Sequence, residues 1–168
     1  MIENTRKYLI NESPDLVIVY GDTNSTLAAS IAATYLGIKI AHIEAGLRSN
    51  DLDMPEERNR IIVDSISSIL FSPSYDSFMR LNKEKKSFQK VYNVGDIMYD
   101  VHRDNLKNIV HKNKDKALPK NYVLATIHRQ SNVDDYKKLK KVINFLNALA
   151  KKYKIIIPIH PRTKKNLN

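Results

Sequence analysis

The chain has 168 residues, 42% hydrophobic and 27% charged, which suffices for one ordinary domain or parts of two. It has no cysteine, which excludes disulfides, thiolate nucleophiles and cysteine-bound zinc. Its net charge of +10 is lopsided: residues 103–168 hold 17 Lys and Arg against four acids, and residues 1–102 hold 11 against 14.

A helix is expected over residues 2–11, with no strand before it. Residues 15–20 are a short β-branched apolar run of the buried parallel-strand type, ending at Gly21-Asp22. Thr23, Asn24 and Ser25 then offer caps to an Ala-rich helix that runs to Leu36, with Gly37 as its stop. A second strand spans 38–43 and ends at Glu44-Ala45-Gly46. After an irregular stretch, Pro55 opens a helix with Glu56 and Glu57 in its first turn. Strands follow at 69–73 and 91–95, then a helix over 97–110.

The polar, lysine-rich stretch 111–120 marks a linker. The alternation restarts with a strand at 122–127, a helix at 134–153 and a strand at 154–159, followed by His160-Pro161-Arg162. This βαβα pattern predicts an α/β fold with one parallel sheet on each side of the linker. The expected division is 1–102, a linker region 103–120, and 121–168. The architecture reads as the central piece of a longer two-domain protein, both domains incomplete.

A basic second half suits nucleic acid, an acidic lipid surface or a phosphorylated small molecule. Lys137, Lys138, Lys140, Lys141, Lys151, Lys152 and Lys154 read as the solvated face of one long helix, and no aromatic residues alternate with them as stacking platforms. No nucleic-acid partner is expected. No apolar run approaches the roughly 20 residues of a membrane span, and the first residues carry no secretory pattern, so a cytoplasmic protein is expected. There is no Gly-x-Gly-x-x-Gly or Walker loop. His42, His102, His111, His128 and His160 lack metal-ligand spacing, so neither a metal nor a cofactor is expected.

Candidate site residues gather at strand ends, where open α/β sheets bind ligands. Asp22 would ordinarily cap the following helix. Glu44 is a poor cap and a poor strand residue, so a structural role explains it less well. Two acids ending successive parallel strands suit general acid/base work. Glu56 and Glu57 have an ordinary role against the helix dipole, and Arg58 and Arg60 are candidates to pair with them or to grip phosphate. His128-Arg129 follows the first strand of the second half, where a histidine can bind phosphate, shuttle protons or be a plain loop residue. Together these describe acids on one wall of a cleft and cations on the other.

Six stretches sharpen this reading: VIVYGDTNSTLAASIAA (17–33), AHIEAGLRS (41–49), MPEERNRIIVD (54–64), NVGDIMYD (93–100), LATIHRQSN (124–132) and IPIHPRTKKNL (157–167). Their wording, order and spacing resemble the non-hydrolysing UDP-N-acetylglucosamine 2-epimerases over nearly the whole chain. That resemblance implies the glycosyltransferase-B architecture of two Rossmann-like domains, and interconversion of UDP-N-acetylglucosamine and UDP-N-acetylmannosamine for envelope polysaccharides. It implies removal of the proton at carbon 2 with expulsion of UDP, then re-addition with the proton delivered to the opposite face.

By the same resemblance, Asp22, Glu44 and Glu56 match the acidic active-site positions and His128 the substrate-contacting histidine. Asp22 and Glu56 are then the proton-transfer candidates, with Glu44 orienting the sugar or a partner acid, the order among them left open. His128 and Arg129 would face the diphosphate, and His160 would lie near the nucleotide half of the cleft or have a structural role only. A homodimer is implied for the full-length form. The family's basic amino-terminal loop and carboxyl-terminal nucleotide clamp fall outside the 168 residues, so the isolated chain is expected to be poorly active or inactive. The alternatives are a UDP-2,3-diacetamido uronic acid 2-epimerase, a hydrolysing 2-epimerase, against which the GDTNS and PEERNR wording speaks, and, most distantly, a basic nucleic-acid-binding module.

Overall fold

The structure, a computed structural model, describes residues 1–112 and 118–167. It divides into two compact units, Met1–Ile109 and Val110–Asn168.

The first unit is built on a four-stranded parallel sheet. Helix α1 (Ile2–Glu12) leads into β1 (Leu16–Tyr20), α2 (Asn24–Tyr35), β2 (Lys39–Ile43), α3 (Pro55–Ile66), β3 (Ile69–Ser72), α4 (Tyr75–Glu84), β4 (Lys90–Asn93) and α5 (Ile97–Lys112), whose last residues fall past the unit's boundary at Ile109. The strands lie in the order β1-β2-β3-β4, every pair parallel. Right-handed crossovers that always step in one direction place α2, α3 and α4 on one face.

Val19 and Ile40 pack there with Leu9, Ala32, Ala33 and Val63. Each larger aliphatic side chain buried this way contributes roughly 1.5–3 kcal/mol, and the alanines let α2 approach the sheet closely. Residues alternate along a strand, so Leu16, Ile18 and Tyr20 face the other way and are exposed, Ile18 at 52%. The expectation of a fully buried first strand is therefore corrected: β1 is an edge of the described sheet and buries one face.

Helix α4 is absent from the expected elements. Ser74 caps it, accepting from the Ser77 N–H, and it buries Ser77 and Leu81. Of the expected linker at 103–120, residues 103–112 belong to α5, and residues 113–117 lie outside the described residues. The second unit holds β5 (Val123–Leu124), α6 (Gln130–Val133), α7 (Tyr136–Ala150), β6 (Ile155–Ile156) and α8 (Pro161–Leu167), with β5 parallel to β6. Its strands, two residues each, are far shorter than the apolar runs suggested. Lys137, Lys138, Lys140 and Lys141 are exposed on α7, while Lys151, Lys152 and Lys154 lie just past its end.

Two contacts hold the β2–α3 loop. Gly46 has φ +80°, and a Cβ there would lie 2.6 Å from Leu81 Cγ and 2.9 Å from the Ser77 carbonyl oxygen. Glu57, 4% exposed, accepts from the Ser49 N–H (2.8 Å), the Ser49 hydroxyl (3.0 Å) and the Asn50 N–H (3.1 Å). Burial pushes its carboxyl up, but these bonds, with Arg48 nearby, outweigh burial and hold it below the usual glutamate range.

Gly46→Ala should cost about 2–4 kcal/mol through overpacking and left-handed strain. Gly37→Ala, with positive φ but open space around it, should cost about 1 kcal/mol. Urea unfolding followed by circular dichroism checks both. Because the folded carboxyl of Glu57 is lowered, its stabilisation is complete above the ordinary glutamate value of about 4.3 and is lost as pH falls through the folded value. Glu57→Gln should therefore destabilise by about 1.5–3 kcal/mol at pH 7. The gap to wild type should close in urea titrations run below pH ~4.

Candidate active site

Helix α3 buries a charged face. Glu57, Asn59, Arg60 and Asp64 are all buried, and three of the four sit at 3- and 4-residue spacing, which places them on one side. Charged residues are almost never so buried unless paired. Arg60 shows the pairing: its Nη2 donates to Asp22 Oδ2 at 2.5 Å, and its Nη1 donates to the Glu44 carbonyl. Glu44 Oε2 lies 3.8 Å from the same Nη2. One guanidinium thus gathers the two acids at the carboxyl ends of β1 and β2.

Asp22 does not cap α2. Thr23 does, through its hydroxyl and the Thr26 N–H at 3.3 Å. Asn59 fixes the same turn by donating to the Asp22 carbonyl and to Asn24 Oδ1, each at 2.9 Å. With its cap supplied elsewhere, the Asp22 carboxylate is free to face Arg60. Its Oδ1 has no hydrogen-bond partner among the described residues, and 29% of the side chain is exposed. Glu44 has φ +73°, a left-handed backbone that costs a non-glycine residue on the order of 1–3 kcal/mol and is typical of sites where geometry overrides local preference. A Cβ on Gly21 would stand 3.1 Å from Glu44 Oε2, so a glycine there lets the two turns meet.

Glu56 lies one turn before Arg60 on α3, exposed and without a hydrogen bond among the described residues. Glu44 also lines a pocket of about 290 Å³ with Ile43, Phe71, Pro73, Val94, Gly95, Asp96, Ile97 and Asp100. Asp96 and Asp100 were not among the expected site residues. The signal was present, since Gly95-Asp96 follows β4 as Gly21-Asp22 follows β1. Asp96 also receives the Met98 N–H at 2.8 Å, which starts α5.

In the second unit, His128 and Arg129 are exposed beyond the end of β5. They line a pocket of about 350 Å³ with Thr126, Ile127, Asn132 and Val142. The His128 and His160 rings have centroids 6.2 Å apart. Thr163 donates to the Ile127 carbonyl at 2.5 Å, and Arg162 pairs with Asp134 at 3.1 Å. Two parallel-strand ends therefore bring together two histidines and an arginine, a set able to bind an anion or pass a proton.

A family model described as UDP-N-acetylglucosamine 2-epimerase matches residues 1–168. A UDP-N-acetylglucosamine 2-epimerase of Methanococcus maripaludis is 46% identical, covering 100% of this chain and 48% of that protein. A UDP-2,3-diacetamido-2,3-dideoxy-D-glucuronate 2-epimerase of Pseudomonas aeruginosa is 40% identical over 98% of this chain and 47% of that protein. Among solved structures, the UDP-GlcNAc 2-epimerase of Methanocaldococcus jannaschii in complex with UDP-GlcNAc and UDP has a TM-score of 0.88 at 41% identity. It matches 99% of this chain over 48% of its own. The chain spans about half the length of the curated relatives it matches, and its parallel α/β units are of the glycosyltransferase-B type. On its sequence and on its fold, the chain belongs to the UDP-N-acetylglucosamine 2-epimerase family.

Proposed function

We propose that the full-length protein carrying this chain inverts carbon 2 of a UDP-N-acetyl sugar, interconverting UDP-N-acetylglucosamine and UDP-N-acetylmannosamine. The observation that carries this reading is the junction of Asp22 and Glu44 on Arg60. Inversion at an unactivated carbon needs carboxylates placed around it, both to move its proton and to hold the sugar.

In the proposed course, a carboxylate removes the proton at carbon 2 as the bond from carbon 1 to the UDP oxygen breaks. The electron pair becomes a carbon 1–carbon 2 double bond, and UDP leaves as the anion. UDP then adds back to carbon 1, and a protonated acid delivers the proton to the opposite face of carbon 2. Asp22 and Glu56 are assigned the two transfers, and Glu44 the orientation of the sugar or of a partner acid. Asp22 suits its part because Arg60 holds one of its oxygens and leaves the other open. His128 and Arg129 are assigned to the departing diphosphate, where cationic donors stabilise developing negative charge. A homodimer is the proposed assembly of the full-length form. The Pseudomonas aeruginosa relative supports a second reading with the same chemistry, a UDP-2,3-diacetamido uronic acid as substrate.

Proton NMR in deuterated water with UDP-N-acetylglucosamine and the full-length gene product should show deuterium at carbon 2 together with UDP-N-acetylmannosamine. Asp22→Asn and Glu56→Gln should each lower turnover by roughly 10²–10⁴-fold. Free N-acetylmannosamine would identify a hydrolysing enzyme instead. Exchange only with the diacetamido uronic acid would favour the second reading.

A further inference from the structure

His42 is the fourth of the five residues of β2, one from its carboxyl end, with no exposed surface, and both ring nitrogens are engaged. Nε2 lies 2.8 Å from the Gly21 carbonyl oxygen and Nδ1 lies 2.7 Å from Asp64 Oδ1. A carbonyl oxygen can only accept, so Nε2 carries a hydrogen. The Asp64 carboxyl is a convergence point for donors: its Oδ2 receives the Arg48 guanidinium at 2.6 Å and the Gly46 N–H at 3.1 Å. Its Oδ1 faces the His42 ring, so this one carboxyl joins β2, the β2–α3 loop and α3. Arg48 continues the network to Glu84 at 2.9 Å.

The two ends of this network are where the acids are. The Gly21 carbonyl belongs to the residue before Asp22, and the Gly46 N–H lies two residues after Glu44. Both glycines have positive φ, +62° and +80°, so both turns bend sharply and need an external tie to stay in one conformation. Arg60 ties the acids from the front, and the His42–Asp64 pair ties their turns from behind.

We propose that His42 and Asp64 are positioning residues that fix the Gly21-Asp22 and Glu44-Gly46 turns relative to each other, acting on the reaction only through Asp22 and Glu44. This rests on the reading of Asp22 as a proton-transfer group and of Glu44 as the residue that orients the sugar or a partner acid. The alternative is a buried polar network that contributes only global stability.

The test uses the full-length protein without substrate, so its outcome is separate from whether epimerisation is observed. In Asp64→Asn and His42→Gln, hydrogen exchange at the Gly21 and Ala45 amides, which bond to the Ile43 and Phe71 carbonyls, should accelerate about 10-fold or more. The Ala32 and Ala33 amides of α2 should stay within about 2-fold. Unchanged exchange at Gly21 and Ala45, or equal acceleration everywhere, would overturn it. If one variant fails to fold, the other decides, and loss of folding in both overturns the proposal in favour of global stability.

Discussion

The guanidinium of Arg60 is the interaction on which the site depends. Two carboxylates at adjacent strand ends repel each other, and an uncompensated pair would splay the turns that carry them. A planar cation with several donors in fixed directions can hold a carboxylate and a carbonyl at once, which an ammonium cannot do with the same geometry. Arg60 uses that property on Asp22 and on the Glu44 carbonyl. Burial raises the stakes, because the half-enclosed pair is screened less than a surface one.

This explains the composition of α3, which would otherwise be a poor core helix. It presents Glu57, Asn59, Arg60 and Asp64 inward, with Val63 as its buried apolar residue. Each polar member is spoken for: Glu57 holds the β2–α3 loop, Asn59 the Asp22 turn, Arg60 the two acids, and Asp64 joins His42, Gly46 and Arg48. No buried side-chain nitrogen or oxygen among the described residues lacks a partner. A helix that gives its core face to hydrogen bonding contributes geometry rather than hydrophobic stability. The apolar work passes to α2 and the sheet.

Much of this was legible in the chain, and the limits have physical causes. The βαβ order, Pro55 at the start of α3 and the turn glycines follow from local rules. The placement of Asp22 and Glu44 at strand ends follows from where the apolar runs stop. The partner of Asp22 was not legible, because Arg60 is 38 residues away and its neighbours Glu56 and Glu57 look like its natural partners. The division of labour between those glutamates was hidden too, since only packing shows that Glu57 is buried and Glu56 exposed. His42 read as one residue of a strand, its two bonds invisible to periodicity. Helix α4 was missed because Pro73 reads as a stop, while Ser74 beside it is a cap. The apolar run of β1 suggested burial on both faces, but burial of a strand depends on its neighbours as well as on its own residues.

The most direct test is a double-mutant cycle between Arg60 and Asp22, using Arg60→Met, Asp22→Asn and the pair, with stability read from urea unfolding of the 168-residue chain. A single guanidinium gathering both acids predicts strong non-additivity, with a coupling of about 1–3 kcal/mol. Additive effects, within about 0.3 kcal/mol, would contradict it and leave Asp22 without an energetic tie to Arg60.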